Sequence, residues 1–335
     1  VKWKRMFICK SAIVPKVLVW NQLMSDCTFT KEEFKERKNG VGSCKNAIIK
    51  KSLFDHCTSR ESGAALYVSS NCYLQLIKVA FSNCVSEKVG GALVCSIKQG
   101  LFVDTCYYNC YSVVNYKPGS TDNSYHCAKI SGRSSSSTVD VLRCGTLKCP
   151  GEPISGDGTI GFRSKSEVSF GYNNMTSNIL AGIEMLTVYD ECSLSSPISF
   201  CSFIKCCSGH LIRCSCKATL EKCNFCMNSP TVKQDLIDNE NTFVFKESVF
   251  SANKHQSFCS STRFDASSSF FCSNSFSAPN KDQCLGTNKF LVIHVEKCAF
   301  VSILFSAPIR LHELFSIILP IQIMICESYS PVKFV

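Results

Sequence analysis

Acidic residues are scarce in this chain: 26 Asp and Glu stand against 36 Lys and Arg in 335 residues, beside only 6 His and 2 Trp. Acids this sparse form no clustered patch of the kind that calcium coordination needs. No recognised nucleic-acid-binding motif is present, so no nucleic-acid partner is expected. Near the C-terminus, Leu314 to Cys326 is an uncharged stretch of thirteen residues interrupted by Pro320. That is short of the roughly 20 apolar residues that cross a bilayer, so a capping segment is expected there and no transmembrane helix within the chain. Apolar residues almost nowhere recur at helical spacing.

What the chain does have is cysteine, 25 in all, and a repeat. With Phe81 as position zero, Leu76 lies five before it, Val79 two before and Cys84 three after. Phe54 has Ile49 and Cys57 in the same places, Tyr107 has Phe102 and Cys110, and Phe203 has Ile198, Cys201 and Cys206. Phe225 follows Leu220 and Cys223 and precedes Asn228; Phe250 follows Phe245 and precedes Asn253. Weaker copies centre on Phe29, Phe170, Phe276 and Phe300, and Val141, Cys144 and Cys149 keep the frame around Thr146. The anchors are then 29, 54, 81, 107, 146, 170, 203, 225, 250, 276 and 300, spaced by 25, 27, 26, 39, 24, 33, 22, 25, 26 and 24. A regular period of this size marks a solenoid, propeller or array.

Short alternating runs such as Ala65-Leu66-Tyr67-Val68 and Phe243-Val244-Phe245 read as strands. Gly, Ser and Asn clusters between them read as turns. Two or three short strands with their turns use about 25 residues, one coil of a β-solenoid and too few for a propeller blade of about 40–45. Coils stacked about 4.8 Å apart put each Phe over the next Phe and each Cys over the next Cys. The expected fold is all-β, a right-handed parallel β-helix of about 11–12 coils. Residues 1–26 are expected as a cap or irregular first coil, 27–306 as the repeats and 307–335 as a C-terminal cap.

Phe81-Ser82-Asn83-Cys84 with Gly90-Gly91-Ala92-Leu93, and Phe54-Asp55-His56-Cys57 with Ser62-Gly63-Ala64-Ala65-Leu66-Tyr67, resemble paired F-x-x-N and G-G-[AILV]-[ILVY] motifs. Such pairs mark the chlamydial polymorphic outer-membrane proteins and similar trichomonad surface proteins. Asn173, Asn228 and Asn253 match the Asn of the motif, Cys replaces it elsewhere, and one complete Gly-Gly is present. The resemblance spans roughly residues 20–305. It implies a pectin-lyase-like β-helix at a cell surface or outside the cell, often adhesive, with a host-cell surface, glycans or other proteins as partners. Because the chain begins at Val1, a role as one segment of a longer surface protein is a further expectation.

A solenoid needs no second core, so one domain is expected. The formal charge of +10 is scattered along the chain and biases the surface towards anionic partners. Thr30 to Lys38 reads as the one helical piece, opened by the capping box Thr30-Lys31-Glu32-Glu33 and closed by Asn39-Gly40. Tyr111 to Ser137 and Pro150 to Gly161 are expected as exposed loops. Asn174-Met175-Thr176, the one N-x-[ST] sequon, is expected in a turn.

Cysteines on equivalent positions of adjacent coils have Cβ atoms slightly too far apart for an unstrained disulfide. Cys57, Cys84 and Cys110 are therefore expected as buried free thiols acting as small hydrophobes, with disulfides in an oxidising compartment as the alternative. Cys214, Cys216, Cys223 and Cys226 could supply four zinc thiolates, but the repeat frame already accounts for the cysteines around them. No metal or cofactor is expected. Because the pectin-lyase-like class includes polysaccharide lyases and hydrolases, acids paired at one-period spacing are the expected mark of catalysis. Asp157 with Asp190 and Glu191, and His210 beside Arg213, are the candidates, without the remaining polygalacturonase elements or the calcium-binding nonapeptide of other solenoids. A non-enzymatic scaffold for adhesion or ligand binding is the preferred expectation, and a carbohydrate-active enzyme the alternative.

Overall fold

The structure is a computed structural model describing residues 46–69, 72–113, 125–134, 136–150, 158–163, 166–180, 184–188, 192–231, 233–239, 241–260 and 264–276. It also gives the backbone of four earlier strands, Arg5–Ile8, Gln22–Ser25, Thr28–Thr30 and Glu33–Phe34. The described residues contain strands and turns and no helix. The strands form sheets of 20, 7 and 4 members, and each strand pairs in parallel with its counterpart one repeat later. This is an arrangement compatible with a parallel β-helix.

The seven-stranded sheet shows the rule most simply. Leu66, Leu93, Ala128, Ile160, Leu186, Ile212 and Ile237 are successive partners in register, and every one is buried. In the large sheet the position-zero residues align as Phe29, Phe54, Phe81, Tyr107, Thr146, Met175, Phe203, Phe225, Phe250 and Phe271. Where successive members are aromatic their rings lie flat on one another: Phe203 and Phe225 have centroids 5.0 Å apart at 1°, and Phe225 and Phe250 4.7 Å apart at 6°. Ring contacts of this kind are worth about 0.5–1.5 kcal/mol each beyond the area they bury.

This register corrects two anchors. Phe170 pairs with Val141 and so holds the minus-five place, while Met175 fills position zero. Phe271, not Phe276, lies over Phe250. With Met175 in place the 33-residue interval disappears; the inserted residues between Tyr107 and Thr146 remain.

Four other expectations are overturned. Glu33–Phe34, inside the expected helix, pairs with Thr58–Ser59 in the four-stranded sheet, because stacking on the next repeat outweighs a weak local helix preference. Tyr125–Gly132, inside the expected 111–137 loop, is a largely buried strand of the seven-stranded sheet. Gly158–Arg163 likewise turns the end of the expected 150–161 loop into a strand. Asn174–Thr176 is also a strand rather than a turn, with Met175 pointing inward.

The Gly-Gly pair has a separate reason at each residue. Gly90 has φ of 70°, as Gly63 one repeat earlier has 67°, a region that side chains disfavour. At Gly91 a Cβ would come within 2.3 Å of the Tyr111 backbone. The residues at 277–335, including Phe300 and the expected C-terminal cap, lie outside the described residues.

Candidate functional site

Two inward rows take up eight of the cysteines and five of the asparagines. The plus-three row runs Cys57, Cys84, Cys110, Cys149, Asn178, Cys206, Asn228, Asn253 and Asn274. Along it a side chain accepts from the backbone N–H of the row member before it. Asn178 Oδ1 takes the Cys149 N–H at 2.7 Å, Asn228 Oδ1 the Cys206 N–H at 2.9 Å, and Cys149 Sγ the Cys110 N–H at 3.2 Å. The same side chains donate to the position-zero carbonyl of the previous repeat: Asn228 Nδ2 to Phe203 O at 2.9 Å, Cys206 Sγ to Met175 O at 3.2 Å. Cys and Asn alternate there because each both accepts and donates at that depth.

The minus-two row, with Thr105, Cys144, Asn173, Cys201, Cys223, Ser248 and Ser269, donates in the same way to the minus-five carbonyls. Eighteen of the described cysteines are free thiols; Cys106 is disulfide-bonded. The expected Cys57, Cys84 and Cys110 ladder is free and fully buried. Burial pushes the Cys84, Cys110 and Cys149 thiols well above the usual thiol range. These are packing groups, kept protonated by the absence of water.

The outside of the large sheet is organised by its corners. Among the described residues, all seventeen non-glycine residues with positive φ fall at the minus-three or plus-two place of a repeat. Their N–H groups continue the ladder into the next repeat, as Tyr172 N–H to Ser199 O at 2.8 Å and Phe200 N–H to Glu221 O at 3.0 Å. That bonding offsets a left-handed conformation costing about 1–2 kcal/mol per residue. The minus-three row reads Lys51, Lys78, Asp104, Arg143, Tyr172, Phe200, Lys222 and Glu247. Six of these are charged; the two aromatics break the pattern.

Tyr172 and Phe200 stack with centroids 4.8 Å apart at 6°, and Lys222 Nζ covers the far face of Phe200 at 5.5 Å. Arg143, next to Tyr172 in the row, turns the other way to grip Asp104, Nε to Oδ1 at 2.7 Å. Tyr172 is consequently 52% exposed. Nothing in the sequence pattern singled these residues out, because Tyr172 reads as part of the misplaced Phe170 frame.

Of the sequence-selected acids, Asp157, Asp190 and Glu191 lie outside the described residues. His210 is buried, with Nδ1 2.8 Å from the Asp235 carbonyl oxygen. Its Nε2 is 3.8 Å from Asp238 Oδ2, too long for a hydrogen bond. Asp238 instead accepts from Arg213 Nε at 3.1 Å and from Ser260 at 2.8 Å. Behind them His255 is fully buried; burial first and the nearby His210 second lower its pKa to about 4. This cluster is held by one carboxylate, so it has no acid and base pair for glycoside chemistry.

A carboxylate pair that sequence reasoning missed lies on the outer face of the large sheet. Asp140 pairs with Ser169, and Thr138 with Glu167, so Asp140 and Glu167 are diagonal neighbours. Burial and then the Glu167 carboxylate raise the Asp140 pKa above its ordinary value. The signal was available: these acids are 27 residues apart, one period.

The four proposed zinc cysteines are not brought together. Cys223 sits in the minus-two row and Cys226 in the neighbouring strand of the large sheet. Cys214 ends a strand of the seven-stranded sheet beside Cys216. Among the described residues no group of three or more His, Cys, Asp or Glu is placed to hold a metal ion. No described helix is long and apolar enough to cross a membrane.

Comparison with protein-family models, curated proteins and solved structures finds no match.

Proposed function

We propose that this chain is a right-handed parallel β-helix of the pectin-lyase-like class, secreted or displayed at a cell surface, which binds glycans without catalysis. The exposed Tyr172–Phe200 stack carries this reading. At equivalent corners the repeat uses charged residues, so nothing in the packing rule calls for aromatic rings there. An open phenol face is a flat apolar surface of the size of a pyranose ring, with Lys222 capping the other end of the stack over Phe200. The net charge of +10 favours acidic glycans by raising their local concentration. The motif resemblance supports surface display; the free thiols are compatible with it.

The test is binding of the full chain to a panel of neutral and acidic polysaccharides. Tyr172→Ala and Phe200→Ala should each weaken binding about tenfold or more, as loss of an aromatic anchor does. Wild-type affinity in both variants would refute the site. A second reading, a carbohydrate-active enzyme, is favoured by the Asp140 and Glu167 pair. Release of reducing or unsaturated sugar that disappears in Asp140→Asn would establish it instead.

A further inference from the structure

Cys214 and Cys216 stand two residues apart on one bend with their sulfurs facing each other, whereas ladder sulfurs meet only across repeats. We propose that Cys214 and Cys216 form a reactive dithiol, a covalent modification site for small disulfides. The two Sγ atoms are 3.0 Å apart. Cys214 is the last residue of the strand His210–Cys214, on the inward row between Val188 and Asn239. Cys216 lies in the bend that follows, before the strand Ala218–Glu221. The bend is tied back by the Ser215 N–H donating to Val188 O at 3.1 Å.

Access separates Cys216 from the ladder cysteines. Ladder sulfurs such as Cys84 and Cys206 are fully buried and spend their protons on carbonyls of the preceding repeat. Cys216 is only partly buried, so a dissolved disulfide can reach it. The neighbouring Cys214 thiol stabilises the Cys216 thiolate and holds its pKa below the ordinary value. That same contact, ahead of burial, pushes the Cys214 thiol up. The roles follow: Cys216 attacks first and Cys214 resolves.

In the first step the Cys216 thiolate attacks one sulfur of an external disulfide RS–SR. A mixed disulfide forms and RS⁻ leaves. The main cause raising the Cys214 pKa is then gone. Cys214 loses its proton to solvent or the released thiolate and attacks the Cys216 sulfur, expelling the second RS⁻. The protein loses two hydrogens and the external disulfide becomes two thiols. Closure requires the sulfurs to approach by about 1 Å, from contact to bonding distance.

The sequence supplies a direct assay. Arg213 and Lys217 flank the pair, so trypsin releases Cys214-Ser215-Cys216-Lys217 as a separate peptide. The full chain is treated with oxidised glutathione, remaining thiols are alkylated, and the digest is weighed. The expected peptide is two hydrogens lighter than the dithiol and carries no alkyl group. Cys214→Ser should stop at a glutathione adduct on Cys216, and Cys216→Ser should leave residue 214 unmodified. Exposed Cys272 serves as the internal control. A doubly alkylated peptide, from protein in which Cys272 has reacted with glutathione, would overturn the proposal. A glutathione adduct on Cys214 in Cys216→Ser would overturn the order of attack.

Discussion

Asn228 offers the sharpest test of the inward rows, because its neighbours in the same row show what may replace it. Its Oδ1 accepts the Cys206 N–H at 2.9 Å, and its Nδ2 donates to Phe203 O and to Asn253 Oδ1, each at 2.9 Å. Asn228→Ala leaves a fully buried N–H without an acceptor, a cost of about 1–3 kcal/mol, and adds a small cavity. A total near ~3 kcal/mol is expected. Asn228→Cys should cost only about 1 kcal/mol, because a thiol can both accept and donate there. Cys149 accepts the Cys110 N–H in the same row. Hydrogen exchange at the Cys206 amide reports the difference locally, which suits a repeat protein whose parts open separately. Exchange should quicken by about two orders of magnitude in the Ala variant and by less than tenfold in the Cys variant. Equal acceleration in the two variants would refute the ladder as the source of stability. So would an Ala variant that exchanges like wild type.

Two further outcomes follow from the same interior. Phe225 is fully buried between Phe203 and Phe250, so Phe225→Ala should lower unfolding free energy in denaturant by about 3–5 kcal/mol, and a loss under 1 kcal/mol would contradict the stack. Burial raises Cys206 from 9.0 to about 12, so the folded state keeps a proton that the unfolded thiol gives up. Its stabilising effect is intact below pH 9, and declines by about 1.4 kcal/mol per pH unit from there towards pH 12. Cys206→Asn, which keeps a polar ladder residue but removes the titration, should show a shallower alkaline decline; an unchanged slope would show that Cys206 does not contribute.

Much of the interior was readable from residue order alone. A period near 25 with Phe, Cys and Asn at fixed offsets can be satisfied by parallel stacking of like on like, and Phe54 over Phe81 over Tyr107 is what the structure contains. Where the pattern thins, reading failed. Met175 is apolar and inward like the phenylalanines, yet a frame keyed on an aromatic ring passes over it and falls on Phe170. The helix expected at Thr30 to Lys38 failed for a different reason: a capping box is a local signal, and pairing of Glu33–Phe34 with Thr58–Ser59 is not.

Residue order alone sets the period, the inward rows and the burial of the repeat cysteines, because these depend on side-chain types recurring at one spacing. The tertiary structure decided which residues share an outer surface. Asp140 meets Glu167 through strand register, and Tyr172 meets Phe200 because two left-handed corners lie one repeat apart. Outward positions are free of the packing rule, so their neighbours carry no signature in the repeat. They become neighbours only when the coils are set one upon another.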